Sequence, residues 1–345
     1  MQAAMFYGPR DVRLIDMATP SPQAGEVLVK VQRAGICGSD VNRFRYGSHP
    51  WPPGFIMGHE FCGEIAALGP DVTGLQLGAQ IVVEPTLYCG TCPYCRQGYH
   101  NRCVDFVRRG LTGSGTNGAF AEYVCVPAYQ PHARPEALSI EVAALVEPMA
   151  VSVHGWSLAG VQAPKCAVVV GIGNIGLLAI LVAKARGAQQ IIAIGKYAPR
   201  QELAYAYGAT LVLEPDDPHL QARVLERTEG LGADVVLEAA GAPSSLRTAV
   251  EVACKGGKIV VLGVFHEEVA LDYRTILMHE KQIIGSLIYQ RQDFADAITI
   301  LAESGVQKQR HITAEMPLHD IVSHGFLPLS QSRAAHIKMQ VYPSA

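Results

Sequence analysis

Apolar residues along this chain of 345 residues follow two different rhythms. Up to about residue 150 they come in short β-branched runs closed by Gly and Pro, such as Val27-Leu28-Val29-Lys30-Val31 and Ala79-Gln80-Ile81-Val82-Val83. Many short strands with frequent turns predict a mostly β, sandwich-like or barrel-like domain. From Cys166 the pattern changes. Val168-Val169-Val170 predicts a buried strand, residues 175–186 have helical length, Gly187 ends that helix, and residues 191–194 begin the next strand. The alternation returns at Val235-Val236-Leu237 and at residues 258–262, which predicts a doubly wound α/β unit with a parallel sheet and right-handed crossovers. A helix over 294–304 and a late strand over 337–341 close the chain. There is no internal repeat and no low-complexity stretch.

Composition narrows the function classes. Hydrophobic residues make up 49% and charged residues 17%, as expected of a globular protein with a large core. A net charge of −3 gives no footprint for nucleic acid or an acidic membrane surface. Cys166 to Ala183 is eighteen residues without a charge, close to the length of a membrane span. Its three glycines and an asparagine at defined spacing fit a strand, turn and helix better. The first residues lack a basic region followed by an apolar one, so no secretory leader is expected, and the cysteine usage suits a reducing, cytoplasmic setting.

Cys89, Cys92, Cys95 and Cys103 stand at C-x2-C-x2-C-x7-C. Four thiolates so close together can close a tetrahedron around one Zn²⁺ with no open position, which is a structural site. Disulfides are the competing reading. The nine cysteines are an odd number, and a chain of this length builds its own core without cross-links. Gly90, Pro93 and Gly98 let the loop fold around an ion. Structural zinc is worth about 10–16 kcal/mol in small peptides, enough to hold a lobe over residues 85–110.

Gly171-Ile172-Gly173-Asn174-Ile175-Gly176 fits G-x-G-x-x-G between a strand and a helix, the context that makes it a dinucleotide site. The first glycine permits the turn, the second lets backbone approach a pyrophosphate, and the third lets helix and strand pack. The helix N-terminus offers free N–H groups to phosphate. About twenty residues further on, an acidic residue should bind the ribose 2′-hydroxyl. Gly195 stands there instead, with Lys196 and Arg200 nearby. Losing a carboxylate and gaining two cations predicts NADP(H) over NAD(H).

Cys37-Gly38-Ser39-Asp40, Gly58-His59-Glu60 and Glu147-Pro148 supply a second donor set. A catalytic zinc keeps few protein ligands and one open place. Cys37, His59 and one carboxylate would make such a site, and the motifs leave open whether that carboxylate is Glu60 or Glu147.

With Gly118-Ala119-Phe120-Ala121-Glu122-Tyr123, these motifs resemble, over nearly the whole chain, the zinc-dependent medium-chain dehydrogenases/reductases of the alcohol dehydrogenase superfamily. The resemblance implies a GroES-like catalytic domain with an inserted Rossmann domain and an active site in the cleft between them. The boundaries expected are 1–152, 153–288 and 289–345. It implies two zinc ions per chain, Cys37 and His59 as catalytic-zinc ligands, Glu147 at the third ligand position, and Glu60 able to coordinate as well. Ser39 matches the hydroxyl that takes the substrate proton. Glutamate before proline at 147–148 resembles the polyol branch, which includes sorbitol, 2,3-butanediol and threonine dehydrogenases. Asn42 departs from the family, where many members carry a proton-relaying histidine.

Residues 144–148, 284–289 and 318–326 are similar to 2,3-butanediol dehydrogenases. The arginine that sorbitol-type enzymes carry near Ile288 is missing, although Arg291 is close. The expected substrate is therefore a small secondary alcohol, vicinal diol or polyol, in a dimer or tetramer with no nucleic-acid or membrane partner. An amino alcohol such as threonine is the alternative, with Arg43, Arg45 or Arg291 holding its carboxylate. A catalytically retired member would have lost donors or the glycine turn, and neither is lost. Phe44, Tyr46, Trp51 and Tyr289 are candidate pocket walls or plain packing aromatics. Cys62, Cys125, Cys166 and Cys254 read as small core residues. His154 either reaches the cofactor or packs internally.

Overall fold

The computed structural model describes residues 1–47, 50–332 and 334–343. The chain forms two compact units, one from Met1–Glu147 with the segment from Gln307 onward, the other from Pro148–Val306.

Two larger β-sheets build the first unit, beside a two-stranded pairing of Leu111–Thr112 with Gly115–Thr116. Seven strands form the larger one, in the order Pro131–Ala133, Gln80–Val83, Glu60–Leu68, Glu26–Gly35, Lys338–Tyr342 and Ile312–Pro317, with Tyr123–Pro127 also paired to Glu26–Gly35. Asp11–Asp16, Gln2–Gly8 and Phe55–Ile56 form the smaller. Between them lies an apolar core that includes Phe6, Val29, Ile65, Phe120 and Phe326. The central strand, Glu26–Gly35, does the placing. Its last residue, Gly35, pairs with Glu60 on one side and Gln340 on the other. Its continuation turns through Cys37 into helix Gly38–Tyr46. Segments far apart in sequence thus converge at one strand end.

The second unit is a parallel sheet of six strands in the order Leu211–Leu213, Gln190–Ile194, Cys166–Val170, Ala233–Glu238, Ala253–Val261 and Gln282–Gly285. The chain order reverses at Cys166–Val170, so this strand ends at the topological switch point where open α/β sheets bind ligands. Cys166–Val170 is wholly buried, and helix Asn174–Ala185 follows directly. The uncharged stretch is therefore strand, turn and helix. No helix among the described residues is long and apolar enough to cross a membrane.

Helix Arg291–Glu303 differs from the expected boundary at 289. Phe294, Ala297, Ile298 and Leu301 are buried within the second unit, where the helix packs on Asn174–Ala185. Its apolar stripe needs a cover that this unit supplies, so the return to the first unit comes at Gln307.

Candidate active site

In the cysteine lobe, all four sulfurs lie within 4.8 Å of one another. Cys92, Cys95 and Cys103 are buried, and none of the nine cysteines is in a disulfide. Zinc–sulfur bonds of about 2.3 Å in a tetrahedron set sulfurs about 3.8 Å apart. Cys89 Sγ and Cys95 Sγ stand at 3.8 Å. Backbone N–H groups point at the sulfurs. Cys92 N–H donates to Cys89 Sγ at 3.3 Å, and Cys89 N–H donates to Cys103 Sγ at 3.3 Å. N–H donors from Thr91 and Cys92 draw the Cys89 pKa down to about 6, favouring the thiolate. Burial pushes Cys95 up to about 12. Such a donor set suits a soft divalent cation held in a closed site.

The second cluster of donors is Cys37, His59 and Glu60, again within 4.8 Å of one another. Cys37 is the N-cap of helix Gly38–Tyr46, and its backbone N–H donates to Asp40 Oδ2 at 3.0 Å. His59 and Glu60 enter the next strand after Gly58, whose φ of +99° a side chain would strain. A Cβ there would also meet the Phe120 ring and backbone. His59 and Glu60 are both buried. His59 Nδ1 approaches Asp40 Oδ1 at 3.6 Å, and Arg43 Nη1 stands 3.7 Å from the same oxygen. A carboxylate at the second nitrogen is the usual support for a ligating histidine.

The electrostatics of this cluster are cation-seeking. Burial alone would lower the His59 pKa, but Asp40, Cys37 and Glu147 outweigh it and push it up to about 10. Burial likewise opposes the charge on Lys338, and Glu60, Cys37 and Glu147 overcome it. Burial raises the Asp40 carboxyl, against the pull of His59, Arg43 and the Cys37 N–H. Thiol, imidazole and carboxylate gathered in one cluster fit a divalent zinc ion. Glu147, buried in the first turn of helix Val146–Ala159, contributes to this field but is not among the three clustered donors. Ser39 is exposed, two residues from Cys37 in the first helical turn.

In the second unit, the glycine turn meets its steric demands. Gly171 has φ of +96° and Gly173 is the N-cap of helix Asn174–Ala185. A Cβ at Gly176 would overlap the Gly171 carbonyl oxygen. Gly195 ends the neighbouring strand, and a Cβ there would overlap the Ile172 side chain of the turn. Close packing against Ile172 therefore requires glycine at 195.

Family models match the chain twice: the alcohol dehydrogenase GroES-like domain at residues 23–136, and the zinc-binding dehydrogenase domain at 174–303. The sorbitol dehydrogenase of Bacillus subtilis (strain 168) is 31% identical, the match covering 100% of this chain and 98% of that protein. The L-threonine 3-dehydrogenase of Pyrococcus abyssi is 36% identical over 81% of this chain and 79% of its own. Among solved structures, 2R,3R-butanediol dehydrogenase from Bacillus subtilis superposes with a TM-score of 0.90 at 30% identity, covering 99% of both chains.

The chain is a zinc-dependent medium-chain dehydrogenase/reductase. As a member of the alcohol dehydrogenase superfamily it is an oxidoreductase, with the GroES-like and Rossmann folds expected of it.

The structure also places the other candidate residues of this dehydrogenase. Lys196 pairs with Asp216, and the Arg200 guanidinium lies 5.2 Å from the Tyr197 ring centroid, so neither is a bare cation. Tyr197 has φ of +76°, a strained value for a non-glycine residue. Phe44 is buried against Phe326, with ring centroids 5.1 Å apart, and Tyr289 is buried against Phe294. Both pack in cores; Tyr46 is exposed. His154 packs internally: its Nδ1 is 2.7 Å from Asp293 Oδ2, and Ser157 donates to Asp293 Oδ1 at 2.8 Å. Cys62 and Cys166 are buried as expected, whereas Cys125 and Cys254 are only half-buried.

Sequence reasoning missed two groups. Lys338 lies buried beside Glu60, and Glu238 lies fully buried at the end of its strand. Glu238 Oε1 accepts from Ala240 N–H at 2.9 Å, Gly241 N–H at 2.8 Å and Ser245 Oγ at 2.6 Å. The available signal for Lys338 was a charge between Ile337 and Met339, inside an apolar strand.

Proposed function

We propose that this dehydrogenase interconverts a small secondary alcohol, vicinal diol or polyol with its ketone, using NADP(H) in preference to NAD(H). The Cys37–His59–Glu60 cluster carries this reading, since it provides a place for one catalytic zinc in a member of a family of dehydrogenases. Relatives named for sorbitol and butanediol, matched over nearly their whole length, support the substrate class. Gly195 with Lys196 and Arg200 supports the phosphorylated cofactor.

In this reading Cys37, His59 and Glu60 hold the catalytic zinc, with Glu147 close enough to shape its charge. The four lobe cysteines hold the second. When bound, zinc lowers the pKa of a hydroxyl it coordinates and the nicotinamide accepts hydride from the carbinol carbon. Asp40 stands beside Nδ1 of His59 and favours the ring orientation that turns its other nitrogen to the metal. Ser39, exposed beside Cys37, receives the substrate proton. Asn42 cannot change protonation state near neutral pH, so it can bridge a hydrogen bond in the proton path but cannot itself act as the base. Glycines 171, 173 and 176, with Asn174 and Ile175 at the helix start, cradle the pyrophosphate.

Residues 1–147 with 307 onward serve as the catalytic domain and 148–306 as the cofactor domain. A cytoplasmic homo-oligomer, dimer or tetramer, completes the proposal. Strand Gln282–Gly285 is a sheet edge, and exposed Tyr273, Leu277, Met278 and Leu287 lie close to it in sequence. An open apolar edge of this kind invites pairing with a second copy. A lysine at Ile283 should then lower the solution mass measured by light scattering.

The amino-alcohol reading is favoured by the threonine dehydrogenase relative at 36% identity. A panel of diols, sugar alcohols and L-threonine with both cofactors decides. The expected result is highest kcat/KM for a diol or secondary alcohol with NADP⁺. Highest kcat/KM for threonine would overturn the substrate class, and a strong NAD⁺ preference would overturn the cofactor.

A further inference from the structure

Glu60 and Lys338 form an ion pair inside the first unit, with side chains 2% and 3% exposed. The ammonium contacts Glu60 Oε2 and also donates to the Ile36 carbonyl at 3.1 Å. The pairing is built into the backbone. Gly35 lies opposite Glu60 in the sheet, and a Cβ there would overlap both Glu60 Oε2 and the Lys338 stem. Lys338 enters from the other neighbour of the central strand, two residues before Gln340. Two buried charges are costly to assemble, and a lone survivor costs more. A pair placed beside Cys37 and His59 therefore invites a functional account.

A glutamate offers a metal either one oxygen or two. Here Lys338 occupies Oε2, which leaves Oε1 for a cation shared with Cys37 and His59. We propose that Lys338 is a positioning residue that restrains Glu60 to one oxygen, so that the catalytic metal keeps an open place for substrate. The inference rests on the reading of Cys37, His59 and Glu60 as the catalytic metal site. Lys338 acts through Glu60 and touches no reacting atom. Losing an orienting partner normally weakens metal binding about 10–100-fold. Losing a restraint does the reverse, because the freed second oxygen adds a bond.

The sign of the effect makes the test. Cobalt(II) is exchanged into the Cys37 site with zinc kept in the cysteine lobe, and its release to EDTA is timed. In Lys338→Met, release should slow about tenfold, while the visible cobalt bands weaken as coordination number rises. Turnover should fall in parallel, and Lys338→Arg should restore wild-type release. Unchanged or faster release in Lys338→Met overturns the proposal.

Two further measurements keep the outcomes separate. A thiolate-to-cobalt band that is present in wild type and lost in Cys37→Ser establishes the metal site itself. Its absence in wild type overturns that reading, and the present inference with it. Should Lys338→Met fail to fold, the Glu60→Gln background removes the unpaired buried charge. There, adding Lys338→Met should change release less than about threefold, an additivity test of whether the two residues act as one unit. A tenfold change in that background would show that the ammonium acts directly on the metal, and would overturn the role assigned through Glu60.

Discussion

Asp40 Oδ1 stands 3.6 Å from His59 Nδ1 and 3.7 Å from Arg43 Nη1, so one buried carboxylate sits between an imidazole and a guanidinium. Asp40 is fully buried and also accepts the Cys37 N–H. It therefore accepts the N–H of one clustered donor and places its carboxylate beside the ring of another. Asp40→Asn keeps the shape but removes the charge that holds the His59 ring. We expect kcat/KM to fall about 10–100-fold with metal content reduced, the usual cost of losing a carboxylate behind a ligating histidine. Wild-type kinetics in that variant would separate Asp40 from the site.

The two donor clusters should fail in different ways. Cys92→Ser breaks the closed set in which Cys92, Cys95 and Cys103 form their own small buried cluster with Tyr88, Cys89 and Phe106. Little else holds this lobe, so thermal stability should drop and one zinc per chain should be lost. Cys37→Ser should abolish turnover and lose the other zinc with a much smaller change in Tm. Metal analysis beside a melting curve checks both. Loss of activity in both variants with unchanged melting would refute this division.

Lys196 is held by Asp216, whose side chain is 78% exposed. A pair this open is weak, so a 2′-phosphate can displace the carboxylate easily. Asp216→Asn should therefore raise the NADP⁺/NAD⁺ ratio of kcat/KM, by no more than about fivefold. Lys196→Ala should lower it about tenfold or more, since it removes a charged partner of the phosphate. Steady-state kinetics with each cofactor measures both. A ratio indifferent to Lys196 would place the phosphate elsewhere.

Acid should loosen the returning segment of the first unit. Lys308 Nζ lies 2.6 Å from Glu141 Oε1. Burial alone would raise the Glu141 carboxyl, but Lys308, a backbone N–H and Ser139 outweigh it and hold the pKa down at about 2. The folded state thus binds the proton less readily than the unfolded chain, whose value is about 4.3. The stabilisation is complete above that unfolded value and disappears as pH falls toward 2. Its size is on the order of 2 kcal/mol after allowing for solvent. Glu141→Gln should lose that stability at pH 7 and lose nothing further below pH 2, as denaturant melts across the pH range would show.

Local chemistry was legible along the chain because it depends on neighbours in sequence. The four lobe cysteines stand within fifteen residues, and the glycine turn within six. Their spacing alone limits what they can enclose. The parallel sheet of the second unit was equally readable, since buried strands and capped helices alternate there. The assignment of helix Arg291–Glu303 was not, because an amphipathic stripe states that it needs a cover and not which domain provides it.

Tertiary structure decided the rest. Cys37, Glu60 and Lys338 meet because Glu60–Leu68 and Lys338–Tyr342 flank one central strand whose end turns through Cys37. Ile337 and Met339 flank Lys338 with apolar side chains, but only the fold places Glu60 across the central strand, where it makes the buried charge tolerable. The cations after Gly195 looked alike in sequence, yet one is paired with Asp216 and the other stacks on Tyr197. Burial and pairing are properties of packed surfaces, so they become fixed only when distant segments share one interior.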